Sequence, residues 1–252
     1  MLAARDPDVV GLQEVTDRTL PLWRAVLARI GLPHVRSSLD TADPARAPAS
    51  RRRTGVLLAA VAALEDAPTT LPVPWAETAL AALALTEIGP VEVHCLHVPN
   101  AANGWVKPDT LRAVRAGLEG APKAARVVCG DLNTPRRELE GGAVVSFARD
   151  SRGRLRPERG SEWDEAELGV VPGLRELGYR DAFRSVHGYA SREPSWTWRR
   201  ISGHGGGWRL DHLFMSAELQ PVACVYHHEW RDDGLSDHSA LEADVRRRGP
   251  DS

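Results

Sequence analysis

The sequence predicts an α/β fold in which two packed β-sheets are flanked by helices. Short apolar runs of strand length alternate with segments of helical period, and no stretch repeats another. At 252 residues and 42% hydrophobic content the chain is long enough for one large core. Carboxylate and amide side chains stand at the ends of several apolar runs, which gathers them at one rim of such a sandwich. Residues 1–248 are expected to form a single domain and 249–252 a tail.

The elements follow in order. Val9-Val10-Gly11-Leu12-Gln13-Glu14, after Pro7, reads as a buried strand that delivers Glu14 at its C-terminal end. Thr16 or Asp17 caps the helix expected next, in which Leu20, Trp23, Val26, Leu27 and Ile30 recur at helical spacing until Gly31. Residues 40–53, rich in Asp, Pro, Ala and Arg, read as a loop. Segments 55–64, 79–88 and 91–98 read as strands, the last two a hairpin around Gly89-Pro90, although alanine leaves the first two ambiguous with helix. A helix started by Pro108 is expected over 108–118 and a buried strand over 126–129, ending in Gly130-Asp131. The Gly- and Arg-rich stretch 140–160 suggests an exposed insertion, and 162–177 a helix. Short strands are expected over 195–199, 209–215, 222–226 and 240–245.

Composition excludes some classes. A formal net charge of -2 does not announce a polyanion partner, so nucleic-acid binding has to rest on local features. The dense basic runs Arg51-Arg52-Arg53 and Arg246-Arg247-Arg248 read as solvated loop and tail. Cys95, Cys129 and Cys224 lie apart inside apolar runs and read as reduced core residues. No membrane-length apolar stretch and no signal-peptide order is present, so a cytoplasmic protein is expected.

Chemistry concentrates in a few positions. Glu14, between a strand and a polar turn, suits a hard cation such as Mg²⁺, with helix capping as the alternative. Asp131 and Asn133, two apart at a strand end, can point the same way, one to orient or deprotonate water and one as a neutral donor; an Asx turn is the alternative. Asp237-His238 puts a carboxylate and an imidazole in a loop that opens a strand, where a helix cap is the competing reading. An imidazolium there could stabilise a phosphoryl oxygen if Asp211 held the ring, whereas His212 faces the other way. Together these residues point to metal-dependent phosphoester hydrolysis.

Five blocks carry a resemblance: Leu12-Gln13-Glu14, His97-Val98-Pro99-Asn100, Cys129-Gly130-Asp131-Leu132-Asn133, Gly207-Trp208-Arg209-Leu210-Asp211 and Ser236-Asp237-His238-Ser239. In this order and spacing the chain resembles the endonuclease/exonuclease/phosphatase superfamily, and within it the exonuclease III class of abasic-site endonucleases. The resemblance implies a four-layered sandwich of two mixed β-sheets flanked by helices, with the site at one end. It implies Mg²⁺ or Mn²⁺ held by Glu14 with support from Asp237, and Asp131 activating water. It further implies that Asn133 positions Asp131 or the phosphate, that His238 braced by Asp211 contacts the phosphoryl oxygen, and that Asn100 contacts phosphate. His97 stands where the abasic endonucleases place a Tyr near the scissile phosphate. Trp196, beside Trp198, is a candidate to line a pocket for an extruded sugar or to stack on a base, as is Trp105, with core packing the alternative for all three; Arg209 is a candidate substrate contact.

The family's first strand carries an Asn of the metal and phosphate site and lies ahead of the Leu-Gln-Glu block. Here that strand is expected to be missing, and a longer gene product explains this better than loss of an active-site wall, since unpaired strand edges invite aggregation. DNA is the expected partner of a monomeric nuclease active in repair. A small-molecule or lipid phosphoester is the alternative substrate, and a phosphate-binding module without turnover is the non-catalytic alternative.

Overall fold

A computed structural model describes residues 1–42, 53–199 and 205–249. Most of the predicted 40–53 loop, with Arg51 and Arg52, and residues 250–252 of the tail lie outside them. The elements run β1 (Val9–Val15), α1 (Leu20–Arg29), β2 (His34–Ser37), β3 (Gly55–Ala60), β4 (Leu64–Asp66), β5 (Ala79–Thr86), β6 (Gly89–His97), α2 (Val106–Glu119) and β7 (Arg126–Asp131). They continue with β8 (Arg137–Glu138), β9 (Val144–Val145), α3 (Gly160–Val170), β10 (Arg180–Asp181), α4 (Ala182–His187), β11 (Trp196–Arg199) and β12 (Gly205–Trp208). Last come β13 (Asp211–Met215), β14 (Leu219–His227), α5 (His228–Asp232) and β15 (Ala240–Arg247).

A six-stranded mixed sheet, ordered β10-β13-β7-β6-β5-β4, faces a second layer made of the sheet β1-β3-β2 and the separate pair β14-β15. Strand alternation explains the layering, because residues two apart share a face. On β3, Val56, Leu58 and Ala60 join Val93 and Cys95 of β6 in the core between the sheets, while Leu57 and Ala59 pack with Leu20 and Leu27 of α1. On the far side of the large sheet, Leu96 and Val128 meet Leu111 and Val114 of α2 and Ala166 and Val170 of α3. Helix, sheet, sheet, helix is the four-layered sandwich expected. The second layer is divided, however: β1 pairs only with β3 and β15 only with β14 among the described residues.

Local departures have local causes. The alanine-rich segments are strands, since every residue of β3 is buried and β5 pairs along its length with β6. Helix α2 starts at Val106, two residues before Pro108, and the predicted 162–177 helix ends at Val170 because Pro172 cannot continue it. The stretch 140–160 is not a plain exposed insertion. Ser146 and Ala148 are fully buried, and Arg149 and Ser146 are both tied to Asp164 on α3.

Arg209, expected to contact substrate, does not reach the surface. Its guanidinium is buried in a bidentate pair with Glu138 (2.7 and 2.7 Å) and a third bond to Asp181 (2.6 Å). Arg184 pairs with the same Glu138 at 2.5 Å, and the ring of His212 is held between Asp181 and the carbonyl of Thr134. An arginine beside an acidic site residue reads as a phosphate contact in sequence; here its planar fork binds β8 and β10 beneath the site instead. Burial opposes the Glu138 charge, but Arg209 and Arg184 hold its carboxyl down at about 2. That contribution to stability is therefore present above the ordinary value of 4.5 and lost as pH falls toward 2. Glu138→Gln removes the carboxylate that two buried guanidinium groups share and should cost about 3 kcal/mol or more in urea unfolding at neutral pH; a change below about 1 kcal/mol would contradict the network's role.

Candidate active site

Sheet register builds the rim. His97, the last residue of β6, lies opposite Asp131, the last residue of β7, in the parallel pair. Asp131 in turn lies opposite Asp211, the first residue of β13, in the antiparallel pair. Three chemically active side chains thus occupy one row at one end of three adjacent strands. Gly130 allows this approach: its φ is +124°, and a Cβ there would sit 2.0 Å from the carbonyl oxygen of Leu96. Two further residues of the rim adopt left-handed backbone, Asn133 at φ 50° and Glu14 at φ 57°. Asn tolerates that region and Glu does not, and Glu14 falls where β1 loses register with β3 between Leu12 and Val15. The bulge breaks the strand's alternation just where Glu14 stands, a form of strain that clusters at functional sites.

The side chains interlock. Asn133 donates twice to Asp131, from its backbone N–H to Oδ1 (2.8 Å) and from Nδ2 to Oδ2 (3.0 Å). The same Nδ2 also reaches the carbonyl of Val98 at 2.8 Å. His238 Nδ1 meets Asp211 Oδ2 at 2.7 Å. Ser195 ties the start of β13 to the His238 loop: its Oγ accepts from the N–H groups of Leu210 (2.9 Å) and Asp211 (3.1 Å), while its carbonyl accepts from Ser239 N–H (2.7 Å). Donor atoms of Asp131, Asp211 and His238 all lie within 4.8 Å of one another. His97 Nε2 stands 3.7 Å from Glu14 Oε1 and 3.8 Å from Asp131 Oδ2, linking the rim row to β1. A cleft of about 460 Å³ opens there, lined by Glu14, His97, Asn100, Thr16 and Trp23 among others.

Electrostatics set the protonation pattern. Burial, and next the charge of Asp211, push the Asp131 carboxyl up to about 8 against the opposing pull of His238, the Asn133 N–H and Lys107. For His238 burial disfavours the imidazolium, but the hydrogen bond and charge of Asp211, with Asp131 and Asp237 behind it, override burial and raise it to about 9. Lys107, fully buried, donates from Nζ to the carbonyl of Asn133 (2.7 Å) and to Glu167 (2.8 Å), fixing the turn that holds Asn133.

Of the residues singled out in the sequence, Asp131, Asn133, Asp211 and His238 come together, and Glu14 joins them through His97. Asn100 lies in the adjoining cleft, exposed, with its Oδ1 accepting from Ala102 N–H and from Asn103 Nδ2. Trp196 stacks on Trp208 (5.1 Å between centroids), and its backbone bridges to His238. Asp237 is exposed on the His238 loop and acts on that ring through its charge. Lys107 and Ser195 were not foreseen. Lysine in an amphipathic helix reads as surface, and a lone Ser beside a strand carries no signal of its own. His212 is buried and faces away from the rim, as its neighbour's orientation requires.

The donor set fits a hard divalent cation. Two buried carboxylates face each other with too little counter-charge to keep Asp131 ionised, and Glu14 offers a third oxygen at the exposed edge. Asp131 and Asp211 form the nucleus of this set, with Glu14 and Asp237 at its periphery.

The family described as "Endonuclease/Exonuclease/phosphatase family" matches residues 1–238. The chain belongs to this family. Its members are phosphoric-ester hydrolases, among them nucleases and phosphatases, and the site just described is where this family member concentrates its charged rim residues. The DNA repair nuclease APEX1 of Danio rerio is 31% identical over 137 residues, 51% of this chain and 40% of that protein. The matched stretch therefore spans less than half of that relative. An AP endonuclease from Archaeoglobus fulgidus superposes with a TM-score of 0.64 at 23% identity, covering 96% of this chain and 90% of the other. Danio rerio TDP2, in a complex with single-strand DNA product, gives 0.62 at 17% identity over 97% and 88%. These likenesses share the fold of mixed sheets and helices. No helix among the described residues is long and apolar enough to cross a membrane.

The paired imidazole should report its own environment. In a histidine-selective NMR titration His238 is expected to titrate near 9, and Asp211→Asn should move it down toward or below the ordinary 6.5. Because its folded value is raised, its stabilising contribution is complete below 6.5 and lost as pH rises through about 9. A His238 midpoint unmoved by the substitution would contradict the ion pair.

Proposed function

We propose that this chain is a divalent-metal-dependent phosphodiesterase acting on DNA, with cleavage at abasic sites as its most specific form. The observation that carries the reading is the convergence of Asp131, Asp211 and His238 within 4.8 Å, with Asn133 fixing both oxygens of Asp131. Asp131 is the general base in its ionised form, which a neighbouring cation would favour, and Asn133 keeps both its oxygens oriented toward the attacking water. His238, kept cationic by Asp211, donates to a phosphoryl oxygen as negative charge builds there. His97 and Asn100 contribute donors on the cleft side, and Trp196 offers an aromatic wall beside His238 for a displaced sugar. Glu14, with Asp131 and with Asp237 in support, would hold Mg²⁺ or Mn²⁺, which when bound polarises the phosphoryl group and lowers the pKa of water.

The preference for DNA draws support from relatives described as a DNA repair nuclease and an AP endonuclease and from a neighbour bound to single-strand DNA. Three unpaired cysteines fit a reducing cytoplasm, and the unit of function is taken as residues 1–248 acting as a monomer. A second reading, a phosphate-binding module without turnover, is favoured by the divided second layer, which leaves β1 and hence Glu14 supported on one side only.

The test is cleavage of an abasic-site oligonucleotide, with bis(p-nitrophenyl) phosphate as a small diester. Cleavage should stop with EDTA and return with Mg²⁺, and Asp131→Ala and His238→Ala should each lower kcat by on the order of 10²-fold while the thermal transition persists. Activity unaffected by EDTA would contradict the metal, and hydrolysis of the small diester alone would favour a small-molecule or lipid phosphoester. Metal-dependent phosphate binding with neither substrate cleaved would favour the non-catalytic module.

A further inference from the structure

Beside the Asn133 turn lies a group of arginines that the reaction does not use. Arg136 follows Asn133 by three residues on the same turn, is half-buried, and has no hydrogen bond or ion pair among the described residues. Its charged neighbours are Arg156, Asp150, Arg159 and Arg137. Asp150 is committed elsewhere, to Arg154 at 3.0 and 2.9 Å and to the N–H groups of Arg152 and Arg154. Arg156 has Glu158 at 3.7 Å and a long bond from Nε to the carbonyl of Arg149 at 3.5 Å. Arg159 donates to the carbonyl of Phe147 and lies over the ring of Trp163, 5.0 Å from its centroid. Burial, then Arg156, push the Arg136 guanidinium below its ordinary value, and Asp150 only partly offsets them. Half-buried cations packed together with fewer carboxylates than guanidinium groups are costly unless an anion completes them.

An aromatic surface adjoins this group. Trp105 is 46% exposed and meets the edge of Trp163 at 5.5 Å, so Arg159 and Trp105 share one ring. The patch is also anchored to the active site, since Phe147 lies under Lys107 Nζ at 4.6 Å and that ammonium holds the carbonyl of Asn133. Guanidinium groups short of carboxylate partners beside an exposed tryptophan match the alternation of phosphate and base along a nucleic-acid strand.

We infer that Arg136, Arg156 and Arg159, with Trp105, form a binding track for a nucleic-acid strand, taking phosphates that flank the one cleaved and stacking a base on Trp105. The inference rests on the phosphodiesterase reading above and adds to it the contacts that distinguish a polynucleotide from a small diester. Charge this local leaves the chain's net charge slightly negative, which is why composition did not reveal it.

Binding of a fluorescein-labelled single-stranded oligonucleotide is read by anisotropy in EDTA across a series of NaCl concentrations. Arg136→Ala/Arg156→Ala should weaken binding by about 10-fold at low salt and reduce the slope of log Kd against log salt by about 1.4, about 0.7 per lost phosphate contact. Trp105→Ala should weaken binding by about 10-fold without changing that slope. Arg29→Ala, which removes an exposed arginine at the end of α1, should change binding by less than about twofold, and turnover of bis(p-nitrophenyl) phosphate should be equal in all four proteins. Double-variant binding equal to that of Arg29→Ala overturns the track while leaving the phosphodiesterase reading intact. Equal losses on the oligonucleotide and the small diester also overturn it, since the arginines would then act on the site itself. A wild-type protein that hydrolyses the diester but binds no oligonucleotide overturns both the track and the DNA assignment.

Discussion

The pairing of β7 with its two neighbours governs everything at the rim. A parallel register to β6 and an antiparallel register to β13 place His97, Asp131 and Asp211 in one row. Side chains alternate faces along a strand, so a slip of one residue in either pairing would turn Asp131 away from one of its partners. The close fit of Gly130 against the Leu96 carbonyl fixes the register on one side, because no larger residue is accommodated there. On the other side, the Asp211 carbonyl accepts from Tyr226 Oη at 2.5 Å, which locks the start of β13 to β14.

Charge is handled in two opposite ways within a few residues of this row. Below it, Glu138, Asp181, Arg184 and Arg209 satisfy one another so fully that both carboxyls are held well under their ordinary range. At the row itself Asp211 has His238 in a close pair, whereas the charge of His238, the Asn133 N–H and Lys107 do not offset burial and the charge of Asp211 at Asp131, and its carboxyl is driven up. A rigid, neutralised base supporting an under-compensated carboxylate is the arrangement expected where a cation or a proton has to be exchanged. The arginines around Arg136 show the same deficit with the opposite sign. In the proposed reading the phosphates of a bound strand would supply counter-charge to the arginines, and a divalent cation would supply it to the carboxylates.

The four-layered fold and the residues Asp131, Asn133, Asp211 and His238 were legible because each stands at the end of an apolar run, where strand chemistry leaves few other reasons for an acid or amide. Glu14 was legible as a position but not as a bulge, since backbone register is a property of two strands. Arg209 was misread because proximity to Asp211 in sequence does not fix where its guanidinium goes; it lies ahead of β13 and runs inward, where Glu138 and Asp181 arrive from distant segments. The same limit hid Lys107, whose charge is compensated by Glu167 sixty residues away. Stretch 140–160 looked exposed from its glycines and arginines, yet Arg149 binds Asp164 and the carbonyl of Gly153, and Arg159 binds the carbonyl of Phe147. Composition records the charges but not the pairs they form.

The claim that Asp131, Asp211 and His238 act as one unit is tested most directly by a double-mutant cycle on phosphodiester hydrolysis with Asp211→Ala and His238→Ala. If Asp211 acts by holding the His238 imidazolium, the double variant should be scarcely slower than His238→Ala alone, leaving a coupling of about 1.5 kcal/mol or more. Losses in kcat that simply multiply would mean the two side chains act independently and would contradict the account.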